Sequence, residues 1–341
     1  MSSMISSPHQ HDSNSVQRIM ATVLLALLPG IAALVWLLGN GVLINLGIAI
    51  VSALLSEWVF LRFRGRNPVT AVTDLSAVLT AVLLALALPP LMPAWQVALG
   101  TIFAIVVGKQ LFGGIGNNPF NPAMLGYALL LISFPASMSQ WIQPQSAASN
   151  LDFAQAWQLA VDGVLPAAMA WDSMTGATPL SEVREGLLQH SMLSELHPDG
   201  SWSNLTSSGW AWVSLAYLAG GAFLILKGIM SWRIPLSLLA SVTIVSGLLW
   251  LIDSNQFASP LFHLFSGAVM LGAFFIATDP VSASTTPKGQ LIFGALIGFF
   301  IVIIRTWGGY PDAVAFSVLL LNMAAPTIDY YTQPRVFGGE R

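Results

Sequence analysis

Ten stretches of this chain are apolar and long enough to cross a bilayer, and nothing else in the sequence limits the fold so severely. They run near residues 20–38, 43–61, 70–89, 95–112, 119–135, 209–227, 233–252, 260–277, 290–306 and 312–328. A helix needs about 20 mostly apolar residues to span the hydrocarbon core. Lipid offers backbone amides no partner, so such segments must satisfy their own hydrogen bonds. Only 8% of the residues are charged, against roughly a quarter in soluble domains. The expected class is an all-α polytopic membrane protein of about ten transmembrane helices.

The charges test that count. Alternating sides from a cytoplasmic N-terminus puts Arg18, Arg62, Arg64, Arg66, Lys109, Lys227, Arg233, Lys288, Arg335 and Arg341 inside, and only Arg184 and Arg305 outside. Ten against two is a positive-inside bias. It makes residues 1–19 and 329–341 cytoplasmic tails and puts the polar interval 136–208 outside. The first tail has neither a basic start nor a short apolar core with a small-residue cleavage site, so a retained tail is expected rather than a cleaved signal. The interval 136–208 carries Asp152, Asp162, Asp172, Glu182, Glu185, Glu195 and Asp199 against one arginine, an acidic external subdomain.

That interval divides the spans into two groups of five, 20–135 and 209–328. Ser76 and Ser266 fall at similar places in the third and eighth spans, and "GGIGNNPFNP" and "GGYPD" precede the fifth and tenth. An odd number of spans per half forces two copies into opposite orientations, the inverted-repeat plan of many transporters and channels.

Several chemistries are excluded. Without cysteine there are no disulfides, thiol nucleophiles or cysteine-bound iron–sulfur clusters. No phosphate-binding glycine loop or dinucleotide fingerprint is present, and nothing in the charge pattern calls for a nucleic-acid partner. In "GGIGNNPFNPAMLGY", Asn118-Pro119 and Asn121-Pro122 are helix-start pairs. They suit a half-helix beginning within the membrane as well as an ordinary cytoplasmic helix start. Asp74 and Asp279, with Thr278 beside the latter, lie near the cytoplasmic ends of their spans. Either they mark a polar site at membrane depth or they are solvated at the interface, and Glu57 poses the same choice. With Asn118 and Asn121 they form a candidate cytoplasmic-side polar site. His263, alone in an apolar stretch, reads as a packing residue.

In the external interval, Asp172-Ser173-Met174-Thr175-Gly176-Ala177-Thr178 exposes a threonine hydroxyl among small residues, and Pro179 disfavours a helical Thr178. From the residues alone this is either an acceptor for modification or a plain turn or helix cap. Here the chain resembles a family, that of the D subunit of the Rnf electron-transport complex and the B subunit of the sodium-pumping NADH:quinone oxidoreductase. "TDLSAVLTAVLLALALPP", "GNNPFNPAMLGY" and "ATDPVSA" carry the likeness along the chain. So does the pattern Asp-x-x-(Ser/Thr)-Gly-Ala-Thr, matched by Asp172, Thr175, Gly176, Ala177 and Thr178.

The resemblance implies an inverted-repeat, urea-channel-like fold in a bacterial inner membrane, with the long loop periplasmic. It implies FMN covalently held through a phosphoester to Thr178, installed by a flavin transferase from FAD. It also implies a redox subunit with no complete activity alone. Partner subunits would carry electrons between ferredoxin and NAD, coupled to sodium or proton movement. The B-subunit relatives hold a non-covalent riboflavin as well, to which no residue here is assigned. The rival expectation is a small-solute channel or secondary transporter of the same fold with no flavin, and the flavin discriminates the two.

Overall fold

The computed structural model describes residues 15–144, 150–164, 174–196, 209–310 and 312–333. These residues are mainly helical, with almost no strand. Ser15 opens α1 (Val16–Leu38) by accepting from the Arg18 N–H, and α2 (Gly41–Phe63) follows. Next come α3 (Pro68–Val72), α4 (Ser76–Leu86), and α5 (Ala94–Phe103), which widens into π-helical turns over Ala104–Gln110. Asn121 starts α6 (Pro122–Ser133) by accepting from the Met124 N–H. A small extramembrane part comprises α7 (Pro135–Ser139), β1 (Trp141–Ile142), α8 (Phe153–Asp162), β2 (Thr175–Gly176), α9 (Pro179–Leu188) and α10 (Leu193–Leu196). The second half contains α11 (Trp210–Leu226), α12 (Arg233–Ile252), α13 (Pro260–Phe265), α14 (Val269–Leu271, continued by π-helical Gly272–Ile276), α15 (Pro287–Trp307) and α16 (Val314–Thr332).

Among the described residues α1, α2, α12, α15 and α16 are long and apolar enough to cross a membrane, and α4, α6 and α11 are shorter apolar helices. The chain is an all-α, multi-pass membrane protein. Three of the expected spans differ from uniform rods. The third is broken between α3 and α4, the eighth between α13 and α14, and α6 has 12 residues, about 18 Å of helix. Burial explains how they persist. Every residue of α4 from Thr80 to Leu86, and every residue from Val269 to Ile276, is buried. Irregular backbone at membrane depth is tolerated where protein rather than lipid surrounds it. The long helices take the outside, exposing Leu25, Trp36, Val51, Leu55, Ile244 and Leu248.

The two halves repeat one packing scheme. In the first, α2 packs on α4 and α5, and α5 on α6; in the second, α12 packs on α13 and α15, and α15 on α16. The halves meet through α1 against α11 and α6 against α16.

Each break has its own left-handed residue and its own buried cation. Leu75 has φ 64° and Gly267 φ 70°. At the first break Asp74 Oδ1 accepts from the Ser76 N–H at 2.7 Å. At the second, Asp312 Oδ2 accepts from the Ala268 N–H at 2.8 Å. Lys109, near the end of α5, donates to Glu57 Oε1 at 2.6 Å and to the Ser76 hydroxyl. Arg305, near the end of α15, donates to the His263 and Ser266 carbonyls at 2.8 and 3.1 Å, and pairs with Asp312 at 3.1 Å.

Lys109 and Arg305 are therefore not water-facing charges at span ends on opposite sides of the membrane, as the sequence suggests. Both are buried, at 3% and 7% exposure. Removing them leaves nine of the ten inside charges and one of the two outside, so the bias survives. Glu57 is likewise a buried ion-pair partner rather than an interfacial group, and His263 is buried with its carbonyl serving Arg305.

Two outcomes are expected. A Cβ at Gly267 would lie within 2.9 Å of both Arg305 and Asp312, in a conformation that costs a side chain about 1–2 kcal/mol. Gly267→Ala should therefore lower stability by about 2–4 kcal/mol, read from thermal unfolding in detergent. Glu57→Ala strands the Lys109 cation and should cost about 3–5 kcal/mol, whereas Glu57→Leu combined with Lys109→Met should recover most of that loss. Equal destabilisation by the single and double variants would show that the pair is not the stabilising unit.

Candidate functional site

The threonine turn is built from three anchors. β2 pairs antiparallel with β1, Trp141 opposite Gly176 and Ile142 opposite Thr175. Gly176 is required for this approach, since a Cβ there would collide with the Gln143 side chain. Met174, fully buried, pins the strand from beneath. Thr178 then becomes the N-cap of α9 in extended geometry (φ −69°, ψ 159°), its Oγ1 accepting from the Ser181 N–H at 3.3 Å. Pro179 at the first helical position has no N–H to leave unsatisfied. Ser181 Oγ lies 3.0 Å from Thr178 Oγ1. Leu180 and Val183 pack with Leu193 and Phe262, tying α9 to the segment that leads into the second break.

Thr178 stands at the rim of a cavity of about 290 Å³ between the halves. Its walls are apolar and aromatic, with Tyr127, Trp141, Trp210, Tyr217 and Tyr310 among them. It descends past the Gly267–Ala268 break to Leu86, Met124 and Ile276. Trp141 and Trp210 meet edge to face, with ring centroids 5.6 Å apart. Asp312 is the sole charged side chain lining this cavity among the described residues, and Arg305 and two backbone N–H groups hold it. The Tyr217 hydroxyl, buried in the wall, has no hydrogen-bond partner among the described residues.

A second cavity of about 140 Å³ lies at the other end of the same inter-repeat seam, among Ile19, Met20, Lys109, Ile229 and Met230. Asn118, Asn121 and Asp279 line it together with Ser76, Thr80 and Thr278. Asn118 bonds Asp279 through its side chain, Asp279 Oδ2 accepts from the Ser282 hydroxyl at 2.8 Å, and Asn121 donates to the Ile276 carbonyl at 3.2 Å. Asp74 touches this cavity only through Ser76, whose hydroxyl donates to it. Leu83, Ala123 and Phe275 line the second cavity, and Leu86, Met124 and Ile276 the first, so a packed layer separates the two.

The structure thus brings Asn118, Asn121 and Asp279 together and puts Thr175, Gly176, Ala177 and Thr178 on one turn above the larger cavity. Trp171, His190 and His197 are the sequence's candidates for neighbours of a flavin ring; of these Trp171 and His197, like Asp172, lie outside the described residues. His190 follows the far end of α9, exposed and away from the cavity. Sequence reasoning missed Asp312, Tyr127 and Tyr217. The visible trace of Asp312 was the "GGYPD" echo of "GGIGNNP", which places it just before the last helix.

Comparison with known proteins identifies the family. Residues 3–338 match the model of the NQR2, RnfD, RnfE family. A protein of Alcanivorax borkumensis, named as the D subunit of an ion-translocating oxidoreductase complex, is 52% identical over 97% of this chain and 95% of its own length. Proteins of the same name from Cronobacter sakazakii (49% identity, 98% of each chain) and Aeromonas hydrophila (47%, 100% of each) match equally completely. The chain belongs to the NQR2, RnfD, RnfE family.

Proposed function

We propose that this subunit carries FMN joined through its phosphate to Thr178 and passes electrons within a membrane complex that couples ferredoxin- and NAD-linked transfer to sodium or proton movement. The observation that carries the reading is the position of Thr178, at once the N-cap of α9 and the rim of the aromatic cavity. A phosphoester at a helix N-terminus meets backbone N–H groups and the favourable end of the helix dipole. That offsets the acidity of the surrounding loop. The residues present fit the group in three respects: a hydroxyl at the rim, flat aromatic walls below it, and a Tyr217 hydroxyl in those walls with no partner among the described residues.

When bound, FMN supplies one- and two-electron chemistry that no side chain of this cysteine-free chain provides. The chain's own residues anchor, orient and desolvate. In the attachment step the Thr178 hydroxyl would lose its proton, its oxygen would bond to the flavin-side phosphorus of FAD, the pyrophosphate bond would break, and AMP would leave with its phosphate, the proton passing to AMP or water. A separate flavin transferase catalyses this. The remaining nine-to-one charge bias supports an orientation with the loop periplasmic and both termini cytoplasmic in a bacterial inner membrane. The second cavity, with Asn118, Asn121 and Asp279, is then a polar site on the cytoplasmic side.

In-gel fluorescence after SDS denaturation, with a flavin transferase co-expressed, tests the attachment. Wild type should give a fluorescent band near 36.4 kDa, and Thr178→Ala should be dark. Thr178→Asn keeps a good cap and should be dark yet stable, whereas Thr178→Ala should also lose about 1 kcal/mol of stability. Ser181→Ala should remain fluorescent. A dark wild type beside another flavinylated protein in the same cells would overturn the reading in favour of a flavin-free transporter.

A further inference from the structure

Helix α8 is divided into three faces where a helix resting on a protein in water needs two. It starts at a reciprocal cap, Asp152 accepting from the Gln155 N–H at 2.7 Å while Gln155 Oε1 accepts from the Asp152 N–H at 3.2 Å. It ends at left-handed Gly163. Ala156, Leu159 and Ala160 are buried, packed towards α2 and α5. Phe153, Trp157 and Val161, each four residues from the last, are 54%, 46% and 48% exposed. Gln155, Gln158 and Asp162 are exposed as well. At about 100° per residue, the exposed apolar stripe lies about a third of a turn from the buried face on one side, and the polar stripe about a third of a turn from it on the other.

The neighbours give the level at which the helix sits. The Asn40 side chain, at the start of α2, donates to the Leu151 carbonyl at 2.9 Å. Leu43 in the first turn of α2, and Trp95, Leu99 and Ile102 on α5, are exposed on the lipid-facing surface of the membrane helices. The stripe belongs to a helix packed on the two helices that carry this surface, and tryptophan is favoured at a membrane edge. Residues 150–164 contain no Lys, Arg or His, so attraction to anionic headgroups contributes nothing.

We propose that α8 lies in the bilayer interface, with Phe153, Trp157 and Val161 inserted among lipid acyl chains, Gln155, Gln158 and Asp162 in water, and Ala156, Leu159 and Ala160 on the protein. Its ligand is the lipid surface itself, of no particular headgroup charge, and it acts as a float that fixes the height of the extramembrane part above the membrane. This does not rest on the flavin.

The absence of cysteine makes the test direct. Single variants Phe153→Cys, Trp157→Cys, Val161→Cys, Gln155→Cys and Gln158→Cys are spin-labelled in the assembled complex in phosphatidylcholine nanodiscs. Collision with oxygen and with a water-soluble nickel chelate is then measured. Labels at 153, 157 and 161 should favour oxygen and those at 155 and 158 nickel, with no change on adding salt. Equal nickel access on both stripes would overturn the proposal by placing the helix in water. Labels at 153, 157 and 161 that are immobile and shielded from both reagents would overturn it in favour of a partner subunit. As a label-free check, brominated lipid should quench wild-type tryptophan fluorescence more than that of Trp157→Phe; equal quenching would also overturn it.

Discussion

A buried cation beneath an interrupted helix is the unit on which both halves of this molecule depend. Interrupting a helix at membrane depth orphans N–H and C=O groups that lipid cannot satisfy, and burying a lysine or arginine there is costly by itself. Each defect answers the other. Arg305 directs its donors to the His263 and Ser266 carbonyls at the end of α13, and its partner Asp312 takes the Ala268 N–H beyond the break. Lys109 directs its own to Glu57 and Ser76, while Asp74 takes the Ser76 N–H. Removing one member leaves a charge or a polar backbone group uncompensated, which is why such pairs are hard to lose once formed.

The breaks make room as well as cost stability. The turn at Gly267 and Ala268 borders the larger cavity, which Thr178 also lines. The corresponding turn at Leu75 borders the smaller cavity through Ser76. One backbone plan, used twice, thus yields two sites at opposite ends of the molecule, and their side chains set them apart. Tyrosine and tryptophan wall the first, whereas Lys109, Asp279, Asn118 and Asn121 reach into the second. The scaffold is shared and the chemistry is grafted on it.

How much of this was legible in the sequence follows from what hydropathy measures. Long apolar runs give α1, α2, α12, α15 and α16 because a spanning helix needs little beyond length. The Asn121-Pro122 pair marks the start of α6 because capping is local. The breaks are hidden, since Leu75 is itself apolar and Gly267 is one glycine among 29. Lys109 and Arg305 read as charges at span ends facing water because depth in the membrane is not written next to a residue; it is set by partners such as Glu57, 52 positions away. Their equivalence left only the echo of Ser76 with Ser266 and of the two Gly-Gly turns. The threonine motif is contiguous and legible, but the cavity beneath it is lined from residues as distant as Leu34 and Ala315.

The turn also explains why a hydroxyl at this place suits a tether. Thr178 Oγ1 satisfies one N–H of the first turn of α9, so a group joined to that oxygen does not leave the helix uncapped, because phosphate oxygens can accept the same N–H groups and carry more charge towards the dipole. Leu180, two residues on, is buried with Phe262 and contacts the point above Gly267 where Arg305 and Asp312 converge. The helix that carries the attachment oxygen is therefore packed onto the second break. In the proposed state the covalent bond fixes one end of the flavin, and the rigidity of α9 on that break holds the bond's position over the cavity. Precision of this kind comes from elements and packing rather than from the loop sequence that accepts the group.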